Sequence, residues 1–171
     1  MKPEQLRDLQ APLKASYREN PQEAKAVLRA EGVVNQEDVA CTVRAGSHDA
    51  ISGLHPAVGG DGTRRCSGDM LLESLAACAG VTLAAVATAM EIPIRQGKVI
   101  VEGDLDFRGT LGVSREAPVG FQEIRVRFEL VTDAASDRVE KLIQLTERYC
   151  VIYQTLRGAV ELKTSFQAAD E

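Results

Sequence analysis

The chain of 171 residues is short of positive charge: 20 lysines and arginines face 25 aspartates and glutamates, a net of −5. Non-specific nucleic-acid binding needs a basic surface to displace phosphate counterions, so this balance argues against it. Blocks of like charge are also missing, which removes the usual signature of a disordered interaction tail. No internal repeat and no low-complexity segment occurs. The opening MKPEQLRDLQ lacks the apolar stretch of a secretory signal. The best membrane candidate, the uncharged run from Ser74 to Met90, has 17 residues and is diluted by Ala, Ser, Thr and Gly. A spanning helix takes about 18 or more apolar residues, so a buried core helix is the better reading and no membrane partner is expected. The expectation is a cytoplasmic protein with one domain, long enough to bury a core without disulfides or metal.

Chemistry-bearing residues are few. Four cysteines, Cys41, Cys66, Cys78 and Cys150, accompany two histidines, His48 and His55. In a reducing cytoplasm such cysteines are core, metal-binding or redox residues rather than a disulfide framework. No Cys-x-x-Cys occurs, so a thioredoxin-type motif is absent. Zinc held by Cys41, His48, His55 and Cys66 is possible in principle, but the spacings of seven, seven and eleven match no common zinc motif. The GGDG at 59–62 is followed by no Lys-Ser/Thr and is not a phosphate loop. In GDLDF the two aspartates alternate as on a strand face.

What is present is a clear order of elements. Residues 3–31 read as helical, with Leu6, Leu9, Leu13 and Tyr17 in phase and Pro12 placed to kink or divide the segment. Asn20 as cap, Pro21, Glu23 and a closing Gly32 punctuate its second half. From Val39 the period becomes two, and a turn at Gly46 with a second extended segment over about 48–55 makes a hairpin. The loop HPAVGGDGTRRCSGD follows, long for a compact domain. A helix over about 69–91, capped by Ser67 or Asp69, is apolar around most of its circumference, as a helix buried on several sides would be. KVIVEGDLDF and EIRVRFELV then alternate apolar and charged residues, each with one covered face and one wet face. A helix over 136–149 and a strand over about 159–167 complete an α+β order.

Taken one at a time, the cysteines divide. Cys41, between Val39 and Val43, reads as core. Cys66 is flanked by Arg64 and Arg65, and nearby cations lower a thiol's pKa, although a bystander loop cysteine is as good a reading. Cys78 shares a helix stripe with Leu75, Val81, Thr82 and Ala85, where burial would raise its pKa. Cys150 ends its helix behind ERY. By spacing alone, both of the last two are small hydrophobes.

SGDMLLESLAACAGVTLAAVA and LTERYCVIYQTL, in this order and with the stretches GLHPAVGGDG, EGDLDFRGTLGV and APVGF, resemble the osmotically inducible protein C and organic hydroperoxide resistance family. The resemblance spans about 33–167. It implies an OsmC-like domain over 33–171, with antiparallel sheets wrapped around long central helices in an intertwined homodimer whose two sites are built from both chains. Residues 1–32 would be an added helical arm. It also implies a thiol peroxidase for organic hydroperoxides, with Cys78 as the peroxidatic and Cys150 as the resolving cysteine. No cofactor or metal is implied, only an external thiol reductant. Arg44 is the nearest match to the family's thiol-activating arginine, with Arg64 or Arg65 as substitutes. The family's arginine-holding glutamate, ten residues before the first cysteine, is replaced by Gly68, with Asp69 adjacent. Glu73 lies about 140° around the helix from Cys78 and should not face it. Many members have proline after the second cysteine, where this chain has Val151. The retained cysteines favour the peroxidase; Gly68 favours a non-catalytic member that binds a small lipophilic ligand between protomers.

Overall fold

The computed structural model of the chain describes residues 1–46 and 48–168, for His48 the backbone alone. Its architecture is α+β: a four-stranded sheet, a two-stranded sheet and a set of helices led by one long central helix.

Helix α1 runs Pro3–Glu19, and Pro12 lies within it without dividing it. The helical reading of 3–31 is corrected beyond that point. Asn20 does cap, accepting from the Gln22 N–H, but it opens only the single 3₁₀ turn Pro21–Ala24. Val27 and Leu28 are then 96% and 91% exposed in non-helical chain. A short helix without a packed face is marginal in water, which is why good punctuation there was not enough. Gly32 closes no helix; it belongs to strand β1, Glu31–Asn35.

Strands β1, β2 (Ala40–Ala45) and β3 (His48–Gly53) form an antiparallel meander, and the short β4 (Arg65–Cys66) adds parallel to β3. Val39 sits outside β2 with φ of +48°, in the turn that leads into it. Cys41 is half-buried rather than core, because no layer among the described residues covers that face and Val34 and Val39 beside it are exposed. Gly60 in the following loop has a steric reason: a Cβ there would lie 1.8 Å from the Leu54 carbonyl oxygen.

Helix α2 spans Ser67–Ala89 and is capped by neither Ser67 nor Asp69; Cys66 stands at its N-cap without a side-chain bond. By length and composition it could cross a membrane, but α1, α4, α5 and β5 of the same chain pack on it. Leu75, Ala79, Leu83 and Ala87, every fourth residue, are its buried stripe. The reading of burial on several sides fails within one chain, since Val81 is 72% exposed.

Strands β5 (Gln96–Asp104) and β6 (Glu123–Val131) pair antiparallel. Val99, Val101, Ile124, Val126 and Phe128 turn toward α2, while Arg125 on the wet face binds Asp104 at 2.8 Å. The extended reading through Phe107 stops early, because Asp106 caps the one-turn helix α3 (Phe107–Thr110) by accepting from the Arg108 N–H. Helix α4 occupies Ser136–Tyr149, as its pattern predicts, and buries Leu142 and Thr146. A further helix, α5 (Val151–Arg157), follows at once. The strand expected over 159–167 is not formed. Its alternating residues pair with no strand among the described residues, and Leu162 and Phe166 are 91% and 94% exposed.

Candidate thiol site

Cys78 lies midway along α2, one position before the buried Ala79, so it is half-buried at the margin of the packed stripe. Cys150 is 1% exposed and sits with Leu75 and Ala79 in a core cluster against which Cys78, Val99, Val101 and Tyr153 pack. It is the residue that breaks one helix into two. Its φ of −73° and ψ of 110° are extended, its N–H still donates to the Thr146 carbonyl at 2.9 Å, and its carbonyl already accepts from Gln154 at 3.0 Å. The same residue thus ends α4 and starts α5. The first N–H groups of a helix have no partner within it. Those of Val151 and Ile152 lie near enough to the Cys78 sulfur to favour its charged form.

The two thiols meet. Cys78 packs against the cluster that holds Cys150, and the Ile152 and Val151 amides, the Cys150 thiol and the Thr82 hydroxyl are the polar groups that favour its thiolate. Burial among aliphatic side chains pushes the Cys78 thiol up, but the hydrogen-bonding influence of Ile152, Cys150, Val151 and Thr82 outweighs it and holds the thiol below its ordinary value. Cys150 moves the other way. Burial pushes it up, the Tyr153 N–H opposes, and donation to Cys78 together with that neighbour's charge adds to the rise. One partner is therefore the better thiolate and the other stays the protonated donor. This is the asymmetry that an attacking and a resolving sulfur need.

The other residues singled out from sequence lie elsewhere in the chain. Arg44 faces Asp49 across the β2–β3 hairpin at 3.6 Å, with more than half of its side chain exposed. Arg64 binds Asp38 at 3.3 Å and Arg65 binds Glu73 at 2.9 Å. None of the three is among the groups that set the ionisation of Cys78. Glu73 is thus occupied away from the thiol. Asp69 is exposed in the first turn of α2, nine residues and about 13 Å of helix rise from Cys78. It lines a separate hollow of about 370 Å³ with His55, Cys66, Gly68, Phe107 and Phe121. His55 Nδ1 accepts from the Ala57 N–H and its ring stacks on Phe107 at 4.8 Å. Among the described residues no three His, Cys, Asp or Glu side chains gather as metal ligands; the side chain of His48 lies outside them.

The residues that sequence reasoning missed are the donors. Thr82 is four positions after Cys78 and so on its face, a signal the helical spacing carried. The amide donors carried a subtler one: Val151, unlike proline, keeps an N–H.

Solved structures share this fold. An OsmC-like protein from Mycoplasma pneumoniae superposes with a TM-score of 0.66 at 19% identity, over 78% of this chain and 89% of that one. An organic hydroperoxide resistance protein from Elizabethkingia anophelis gives 0.63 at 13%, over 80% and 92%. Another organic hydroperoxide resistance protein, from Legionella pneumophila, gives 0.61 at 16%, over 78% and 90%. No curated protein matches the chain by sequence. Residues 60–165, the stretch that holds α2, both sheet strands β5 and β6 and both cysteines of the pair, match the OsmC-like protein family, and the chain belongs to it.

Proposed function

We propose that the protein is a thiol peroxidase that reduces organic hydroperoxides in the cytoplasm. The observation that carries this is the contact of two thiols of opposite character, Cys78 with its pKa lowered and Cys150 with its pKa raised. The Cys78 thiolate attacks the distal oxygen of the peroxide, the O–O bond breaks, and the alkoxide leaves and is protonated to the alcohol. Sulfur, oxidised by two electrons, is left as a sulfenic acid. The Cys150 thiol then displaces its hydroxyl, forming the Cys78–Cys150 disulfide and releasing water. Two thiols of an external reductant close the cycle by exchange. Aliphatic neighbours of Cys78 favour an alkyl peroxide over hydrogen peroxide.

A second protomer fits this reading. The chain exposes 13,219 Å², where a compact monomer of 18.4 kDa exposes about 8,200 Å². In an intertwined homodimer the partner's β1–β3 sheet would cover the open face of α2 and bring Arg44 to the thiol. Treating reduced protein with cumene hydroperoxide tests the chemistry. Peroxide should disappear, a 78–150 disulfide should be found by mass spectrometry, and Cys78→Ser should abolish both. Consumption indifferent to that substitution sinks the proposal. The rival reading, a non-catalytic protein holding a lipophilic ligand, is favoured by two observations: Gly68 stands where an arginine-holding acid would be, and no guanidinium among the described residues acts on Cys78.

A further inference from the structure

We propose that Thr82 is a catalytic residue of the peroxide step, its hydroxyl accepting the O–H of the incoming hydroperoxide beside the Cys78 sulfur. The inference rests on the peroxidase reading and adds a residue which that reading does not require. Ser74, Cys78 and Thr82 stand at every fourth position of α2, in a row beside the buried stripe of Leu75, Ala79 and Leu83. The thiol thus has a hydroxyl one turn away on either side. The two are not equivalent. Every Cα–Cβ bond of an α-helix tilts toward the N-terminus, so the Thr82 side chain leans toward Cys78 and that of Ser74 leans away. Ser74 is also exposed, whereas Thr82 is half-buried on the wall of the hollow between α2 and α4.

Thr82 also differs from the other threonines inside these helices. Thr88, Thr146 and Thr155 each donate to the carbonyl four residues back, at 2.8 Å, the usual engagement of a helical threonine. Among the described residues Thr82 makes no such bond to the Cys78 carbonyl. Its proton is left for the thiolate, which it favours, and its lone pairs remain as acceptors. A hydroperoxide has one hydrogen-bond donor, its O–H, and the oxygen that carries it is the atom sulfur attacks. An acceptor beside the sulfur therefore brings the correct one of the two oxygens into reach. The S–O bond forms as the O–O bond breaks, and sulfur is oxidised by two electrons. The hydrogen stays on the transferred oxygen, and the departing alkoxide takes its proton from water. Thr82 keeps its own proton throughout; its part is orientation, from which a dialkyl peroxide, having no O–H, gains nothing.

The test uses the full chain, reduced, and two reagents at one pH: cumene hydroperoxide, which offers an O–H, and methyl methanethiosulfonate, which offers no donor. Loss of the free Cys78 thiol is followed by mass spectrometry. Both reactions need the thiolate, so the ratio of their rates cancels any change in thiolate fraction. Thr82→Val, close in shape but without the hydroxyl, should lower the peroxide-to-thiosulfonate ratio about tenfold, the contribution of one hydrogen bond. Thr82→Ala, well suited to a helix, should give the same loss without a branched side chain to fit. Thr82→Ser should restore the ratio, and Ser74→Ala should leave it as it was. A ratio that valine and alanine leave unchanged, that serine does not restore, or that Ser74→Ala lowers equally overturns the assignment and spares the peroxidase. An unaltered protein that consumes no cumene hydroperoxide removes both.

Discussion

Val151 shows how one residue can change the supply of donors to a thiolate. Its N–H reaches the Cys78 sulfur from the first position of α5, a place where proline is well tolerated because its ring presets the helical φ. Cys150, the residue before it, is already extended, as a residue preceding proline must be. Val151→Pro should therefore keep the fold and delete one donor. Because the bond stabilises the charged form, its loss raises the Cys78 pKa. The pH profile of alkylation by iodoacetamide, followed at Cys78 by mass spectrometry, should move to higher pH. Cys150→Ala should move it the same way by deleting the donated S–H. In the unaltered protein Cys150 should be alkylated only at higher pH than Cys78, since its own pKa is raised. A profile that both substitutions leave in place would mean that these hydrogen bonds do not set the reactivity of Cys78.

At the level of elements, the site depends on how firmly α2 is held against α4. Leu142 is fully buried in the cluster with Leu83, Ala87 and Ile92, which fixes the two helices to each other beyond the cysteines. Leu142→Ala leaves a cavity there and should cost about 2–5 kcal/mol, read as a lowered urea midpoint with an unchanged slope. A loss of under about 1 kcal/mol would mean that the helices can close the gap and that the thiol contact is less rigidly framed. Such elements were the legible ones. The alternation of β6 and the amphipathic period of α4 put their boundaries on the chain directly, because one covered face and one wet face impose a period that sequence displays. The split between α4 and α5 was not legible: it rests on the backbone angles of Cys150, and no glycine or proline marks it. Segment 20–30 misled for the opposite reason, having helix signals without a surface to pack on. Within the site, the meeting of the two cysteines came through family resemblance, whereas the amide donors that tune them appear only once the break between the helices is seen.

For the whole molecule the argument turns on uncovered apolar surface. Val34 and Ile51 stand open on the β1–β3 meander, and Leu162 and Phe166 stand open on a terminal segment that alternates like a strand without being one. A strand pattern that pairs with no strand among the described residues of its own chain can be satisfied by an edge in another. The edge strands β5 and β6 of the two-stranded sheet are unpaired on their outer sides within the described residues and offer one. We therefore expect sedimentation equilibrium at micromolar concentration to return twice 18.4 kDa. Amides of 159–168 should exchange slowly with deuterium although they make no ladder within the chain. Replacing Leu162 and Phe166 together by aspartate should shift the mass toward the monomer and speed that exchange. The same change should slow peroxide consumption if the thiol site needs the partner's Arg44, because the guanidinium would leave with the second chain. A monomeric mass for the unaltered protein would remove the partner from the mechanism, and the four donors around Cys78 would then have to hold the thiolate alone.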